Sequence, residues 1–149
     1  MSLIYGYLNE GQGIVYRASG QLTGSEIIAA LTNVNSPALA ERPVLYAFFD
    51  CDDITGMDIS IAQLRNAADL GIRGHRYQSA TRVVAIYAKN DLPFALAQIW
   101  QVFVQQTGWE TEIFREKSKA VAWLRERVAA RFGMQIALEV DELEARRPA

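Results

Sequence analysis

The sequence predicts one α/β domain on a mixed, mostly parallel sheet, with elements in the order β-β-α-β-α-β-α-β-α. Three observations predict it. Short apolar runs of strand length alternate with longer segments whose apolar residues recur at helical spacing. The first two runs flank a glycine-containing turn, the pattern of an antiparallel hairpin. Two of the helical segments open on residues spaced as capping boxes.

Leu3–Leu8 is aromatic and aliphatic and reads as a strand. Gly11 and Gly13 mark the turn, and Ile14, Tyr16 and Ala18 then alternate with Val15, Arg17 and Ser19 in a second strand. Thr23 precedes Glu26 by three residues, so each side chain can satisfy a free backbone N–H of the other's turn. Ile27, Ile28, Leu31 and Val34 continue that helix, with Pro37 past its end. Val44–Asp50 is an apolar run closed by an acid, as in a central strand covered on both faces. After a loop, Ser60 and Gln63 open a helix whose predicted buried stripe is Ile61, Leu64, Ala68 and Ile72, ended by Gly74. Arg82–Ala88 is the next strand. Asn90 or Asp91 caps a helix with Pro93 in its first turn and Gly108 beyond its end. Trp109–Phe114 alternates as a strand, and Val121, Leu124, Val128 and Phe132 mark a last amphipathic helix. Alternation of strand and helix implies right-handed crossovers between parallel strands. The domain is expected to span 1–140, including a short strand through Ile136, Leu138 and Val140, and 141–149 reads as a charged, frayed tail.

Composition narrows the function. Half of the 149 residues are hydrophobic and 21% are charged, which suits a globular core and not a disordered chain. A net charge of −2 gives no general attraction to nucleic acid or anionic membrane. Arg125, Arg127 and Arg131 read as the solvated face of the last helix. Cys51 is the only cysteine, so no intrachain disulfide forms and a reducing compartment suffices. Residues 1–9 lack the features of a signal peptide, and the charge-free stretch 92–109 carries four glutamines, too polar for unaided insertion. The expected location is cytoplasmic, with no nucleic-acid partner and no membrane insertion.

The segment Asp50-Cys51-Asp52-Asp53-Ile54-Thr55-Gly56-Met57-Asp58-Ile59-Ser60 concentrates acids where ligands gather in parallel sheets, past the carboxyl end of a strand. Asp50, Asp52 and Asp58 are its candidate loop-site residues. A strand ending Asp50-x-Asp52-x-Ile54-Thr55 resembles the first motif of haloacid-dehalogenase-type phosphohydrolases. That resemblance implies Asp50 as nucleophile and Asp52 as general acid/base beside Mg²⁺. Ile54 departs from the motif, Lys89 is an unsupported stand-in for its lysine, and no later acid pair completes it. A calcium loop fails because Ile54 falls at a ligand position. The plain alternative is that these acids cap the second helix and solvate the loop. A lone histidine, His75, between Gly74 and Arg76 in a predicted turn, excludes a multi-histidine metal site. No phosphate-binding glycine loop is present. The expectation is therefore no catalytic residue, no cofactor and no metal.

The helix from Asp91 to Thr107 is uncharged after its first residue, and Phe94, Ile99, Trp100, Val102, Phe103 and Val104 spread round most of its circumference. A helix lying outside a sheet should show charge to water. Phe94, Trp100, Phe103 and Val104 are accordingly the candidate interface with a second copy or a protein partner, or the wall of an apolar ligand pocket. Gln98, Gln101 and Gln105 form its neutral polar face.

Several segments together resemble the SpoIIAA-like proteins of the STAS superfamily, relatives of anti-sigma-factor antagonists, from about Val15 to Arg125. They are Gly20-x-Leu22-Thr23-Gly24, Val83-Val84-Ala85-Ile86-Tyr87-Ala88, Leu92-Pro93-Phe94-Ala95-Leu96-Ala97, Trp109-Glu110-Thr111-Glu112-Ile113-Phe114-Arg115 and Ala120-Val121-Ala122-Trp123-Leu124. The resemblance implies a bacterial protein whose four- or five-stranded mixed sheet carries helices mainly on one face, and no enzymatic activity. It also implies regulation through phosphorylation at a helix N-terminus after the central strand. Thr55 and Ser60 lie in that neighbourhood, although the Asp-Ser-Ser-Gly context is absent. Some relatives are compared with lipid-binding CRAL-TRIO-like domains, which gives the apolar helix a ligand role. The function expected is a non-catalytic regulatory or interaction domain, homodimeric, with an apolar small-molecule carrier and the phosphohydrolase as alternatives.

Overall fold

A computed structural model describes residues 2–35, 44–78 and 81–136. Five strands, β1 (Leu3–Leu8), β2 (Gly13–Thr23), β3 (Tyr46–Asp58), β4 (Val83–Tyr87) and β5 (Glu110–Phe114), lie side by side in chain order. β1 pairs antiparallel with β2, and every later pair is parallel. The helices are α1 (Gly24–Val34), α2 (Ile61–Gln78), α3 (Asp91–Phe103) and α4 (Lys117–Phe132).

This order fixes where the helices go. When parallel strands are laid down in one direction, crossovers of one hand all fall on one face of the sheet. Residues of α1, α2 and α3 accordingly share one core with Ile14, Tyr16, Phe49 and Ile86. α4 follows the last strand, bridges nothing, and closes the opposite face through Ala120, Val121, Leu124 and Val128 against Phe48, Ala85 and Tyr87. Strand order never reverses, so the sheet lacks the crevice that a switch point opens at its carboxyl ends.

Local chemistry sets the element boundaries. The hairpin turns through Asn9, Glu10 and Gly11, all with positive φ. Gly13 is required for a different reason, since a Cβ there would lie 2.1 Å from the ring of fully buried Tyr46. Both capping boxes form. Glu26 N–H donates to Thr23 Oγ1 at 3.3 Å and Thr23 N–H to Glu26 Oε2 at 3.1 Å. Gln63 N–H donates to Ser60 Oγ at 3.1 Å and Ser60 N–H to Gln63 Oε1 at 2.9 Å. Gly133, with φ 67°, ends α4.

Four boundaries differ from the sequence reading. β2 runs four residues past Ser19, to Thr23. β3 does not stop at Asp50 but continues to Asp58, paired with the far half of β2 through two register shifts. Its pairing with β4 ends at Asp50, so beyond that point it lies outside the full sheet and tolerates Asp53, Thr55 and Asp58. α2 runs through Gly74 to Gln78, so His75 stands in a helix and not in a turn. A glycine inside a helix costs only about 1 kcal/mol, too little by itself to end one. Ile61, expected in the buried stripe, is 54% exposed, while Leu64, Ala68 and Ile72 are buried. α3 ends at Phe103, and a short turn at Gln105–Thr107 leads to Gly108 at φ 74°. Pro37, the strand through Leu138 and Val140, and the 141–149 tail lie outside the described residues.

Candidate functional site

The acidic segment is a strand carrying a buried ion cluster. Arg17, Asp50 and Tyr87 stand in register across β2, β3 and β4. Asp50 is fully buried and Arg17 nearly so. Lys117, in the first turn of α4, places Nζ 3.1 Å from Asp50 Oδ2 and 3.5 Å from Asp52 Oδ2. Arg17 Nη1 lies 3.5 Å from Asp50 Oδ2, and Asp52 N–H donates to Asp50 Oδ1 at 2.9 Å. Tyr87 O–H donates to Asp52 Oδ1 at 3.0 Å. The cluster thus balances two acids against two bases, and it ties the start of α4 to the middle of the sheet.

That geometry answers the phosphohydrolase reading. A nucleophilic carboxylate needs a free oxygen facing a cleft. Asp50 has no exposure, and each of its oxygens already meets an N–H or a cation. The lysine beside it is Lys117, whereas Lys89 is exposed. Nor do the acids cap α2, because Ser60 does that. Asp58 ends β3 opposite Thr23, far along the strand from Asp50, so the three candidate loop residues form no common site. Among the described residues no group of three or more His, Cys, Asp or Glu is placed to hold a metal ion. Thr55 is an exposed strand residue, and Ser60 is the exposed N-cap of α2. Phosphate on Ser60 would reinforce a cap already made.

α3 is amphipathic in an unusual sense. Its inward residues are apolar, and its outward residues Leu92, Ala95, Gln98 and Val102 are uncharged as well, after exposed Asp91 in the first turn, which pairs with Arg115. Leu92 is 51% and Val102 61% exposed, and Pro93 is its one buried residue. Of the candidate interface residues, Val104 is buried, while Phe94, Trp100 and Phe103 are half-buried. Arg115 covers the Phe94 ring at 4.1 Å and Arg65 the Phe103 ring at 4.8 Å. Gln101 turns to β5, where Nε2 donates to Thr111 O at 2.9 Å and to its Oγ1 at 3.0 Å. The three glutamines therefore do not share one face.

Between the sheet and α1–α3 lies a cavity of about 120 Å³ whose walls include Leu31, Phe49, Ile86, Ala97 and Trp100. Tyr16 stacks on Phe49 there at 5.2 Å. Its polar lining is concentrated where Arg82 and Asn35 meet: Arg82 Nη1 donates to Asn35 Oδ1 at 3.0 Å and Nε to Val44 O at 3.1 Å. The guanidinium also covers the Trp109 ring at 5.0 Å. Burial raises the pKa of the Tyr16 hydroxyl, and it raises that of the Cys51 thiol with Asp50 adding to it. Both groups stay neutral. Burial lowers the pKa of Arg82, offset by Tyr16 and Tyr7. Sequence reading missed Arg17, Arg82 and Lys117. The one available signal was Arg17 and Arg82 standing inside apolar strand runs.

No family model matches the chain, and no curated protein matches it in sequence. Among solved structures, an uncharacterised DUF3478-family protein with a SpoIIAA-like fold, from Shewanella loihica PV-4, superposes with a TM-score of 0.54. It is 22% identical, and the match covers 83% of this chain and 94% of that one. The unphosphorylated anti-sigma factor antagonist SpoIIAA superposes at 0.42 with 15% identity, covering 83% of this chain and 97% of its own. The first likeness shows that the chain has a SpoIIAA-like fold. Among the described residues no helix is long and apolar enough to cross a membrane.

Proposed function

We propose that this chain uses its SpoIIAA-like fold as a non-catalytic interaction domain, pairing with a second copy through the outward face of α3. One observation carries the reading: the stripe from Leu92 to Val102 is exposed, apolar or amide-bearing, and without a charge. In a two-fold contact a surface meets itself, so any charge near the axis opposes its own copy. Here the exposed acid, Asp91, stands at the start of the helix, paired with Arg115 at 2.7 Å, and no charge follows it through Val102. Charge depletion and large apolar side chains are also what interface cores show. Sedimentation velocity from about 1 to 100 μM tests it. A concentration-dependent dimer that Val102→Glu turns into a folded monomer supports the reading; a protein that sediments as a monomer throughout that range removes it.

A second reading is favoured by the cavity, which makes the domain a carrier or sensor of an apolar small molecule. Its walls are almost wholly apolar and lie directly beneath α3. Native mass spectrometry of protein taken straight from cells checks it. Added mass that is lost on denaturation is the expected result, and bare protein that also takes up no apolar probe speaks against it.

A further inference from the structure

The size and walls of the cavity narrow what it can hold, on the premise that the second reading is correct. At about 120 Å³ it is slightly smaller than the engineered apolar cavities of about 150 Å³ that accept benzene. That leaves room for one ring with a short substituent and none for a long acyl chain.

Aromatic side chains make up much of the wall. Tyr16 and Phe49, paired across β2 and β3, stack with ring centres 5.2 Å and planes 22° apart. Trp109 lies under the Arg82 guanidinium at 5.0 Å. It also packs so close to α2 that a Cβ on Gly71 would sit 3.0 Å from its ring. Trp100 adds a ring from α3. Cys51 and Met57 line the same space, and sulfur makes favourable contacts with aromatic rings. Rings already held by their neighbours need no ordering when a guest arrives, so edge-to-face contacts with them add to its affinity.

Charge has no place in this space. Arg82 is the one charged residue among the described residues lining it, and its guanidinium is already engaged by Asn35 Oδ1, Val44 O and the Trp109 ring. An ion that entered would exchange its water for apolar walls.

We propose that the cavity selects an uncharged, single-ring aromatic compound with at most a short side chain. Its ring packs against Phe49, Trp100 and Trp109.

Two alcohols of matching length decide the matter, 2-phenylethanol and its saturated counterpart 2-cyclohexylethanol, titrated into the full chain. Trp100 and Trp109 line the cavity, so tryptophan fluorescence follows binding. The saturated ring is the more hydrophobic, and burial alone would favour it. The aromatic alcohol is nevertheless expected to bind roughly fivefold more tightly. In Phe49→Leu that preference is expected to fall below about twofold. Dodecanoate, a long and charged probe, is expected not to compete with 2-phenylethanol. Equal affinities, a tighter saturated alcohol, or a preference that survives Phe49→Leu overturn the aromatic selection and leave the second reading standing. Competition by dodecanoate overturns the limit on size and charge, and also leaves that reading standing. Binding of neither alcohol at millimolar concentration overturns both. Circular dichroism checks the fold of the variant. If Phe49→Leu does not fold, the comparison of the two alcohols on the unaltered protein decides alone.

Discussion

Lys117 reaches from the first turn of α4 to within 3.1 Å of the Oδ2 of Asp50, a carboxylate with no solvent exposure. Removing one partner of such a pair strands the other, at a cost of about 3–5 kcal/mol, although the intact pair contributes little net stability. Lys117→Met should therefore lower urea-unfolding stability by at most that amount, because Arg17 stays 3.5 Å from Asp50. Adding Asp50→Asn should recover little of it, because nearly buried Arg17 then loses its carboxylate. A double variant as stable as the unaltered protein would mean that Arg17 does not depend on Asp50.

Glu26 gives the fold an acid-sensitive point. The Thr23 backbone N–H first, together with Ser2 N–H and the Thr23 hydroxyl, holds its carboxyl below the ordinary range, against an opposing effect of desolvation second only to that first hydrogen bond. A depressed carboxyl contributes stability that is complete above its unfolded pKa and lost as pH falls through the folded one. Melting temperature should thus drop below about pH 4.5, and Glu26→Gln should flatten part of that acid limb. An acid limb identical in the variant would show that other carboxyls set it.

Cys51 is buried, and burial raises its thiol pKa above the ordinary value. Thiolate is the reactive form. In the native protein at pH 8 a thiol reagent should label Cys51 only as fast as the chain opens, and denaturant should restore rapid labelling. Fast labelling in native buffer would contradict the placement of β3.

Gly13 and Gly6 make a matched pair in the hairpin. A Cβ at Gly13 would strike the buried Tyr46 ring, whereas one at Gly6 meets nothing within 4 Å. Gly13→Ala should cost about 1–3 kcal/mol, as overpacking does, while Gly6→Ala should be near neutral. Thermal melts of the two variants side by side check the contrast.

What was legible in the sequence is what local chemistry decides. Thr23 with Glu26 and Ser60 with Gln63 are satisfied within one turn, so their spacing alone locates two helix starts. Alternation in Ile14–Ser19 likewise locates β2, but the same alternation says nothing about the partner of Arg17. Asp50 is its partner only because β2 and β3 lie in register on the α4 face. The extension of β3 was hidden because Asp53, Thr55 and Asp58 look like loop residues when their one paired neighbour is unknown. The charge-free character of α3 was legible, yet which of its glutamines faces water depended on the position of Thr111. A cavity is a shortfall of volume summed over many residues, and no single position announces it.

That shortfall can itself be tested. Ala97 lines the cavity beneath α3, and three added carbons at that position fit within about 120 Å³. If the space is only a packing shortfall, Ala97→Leu should fill it and raise stability by about 1 kcal/mol, the usual gain from cavity filling. If the space serves a ligand, the same change should also abolish the uptake of a small apolar probe such as 2-phenylethanol. Stability and binding are separate measurements on one variant. A stabilised Ala97→Leu that still binds the probe would put the ligand somewhere other than this cavity. A destabilised Ala97→Leu would mean that the walls cannot accept a larger side chain, and the smaller step Ala97→Val then repeats the test with less added volume.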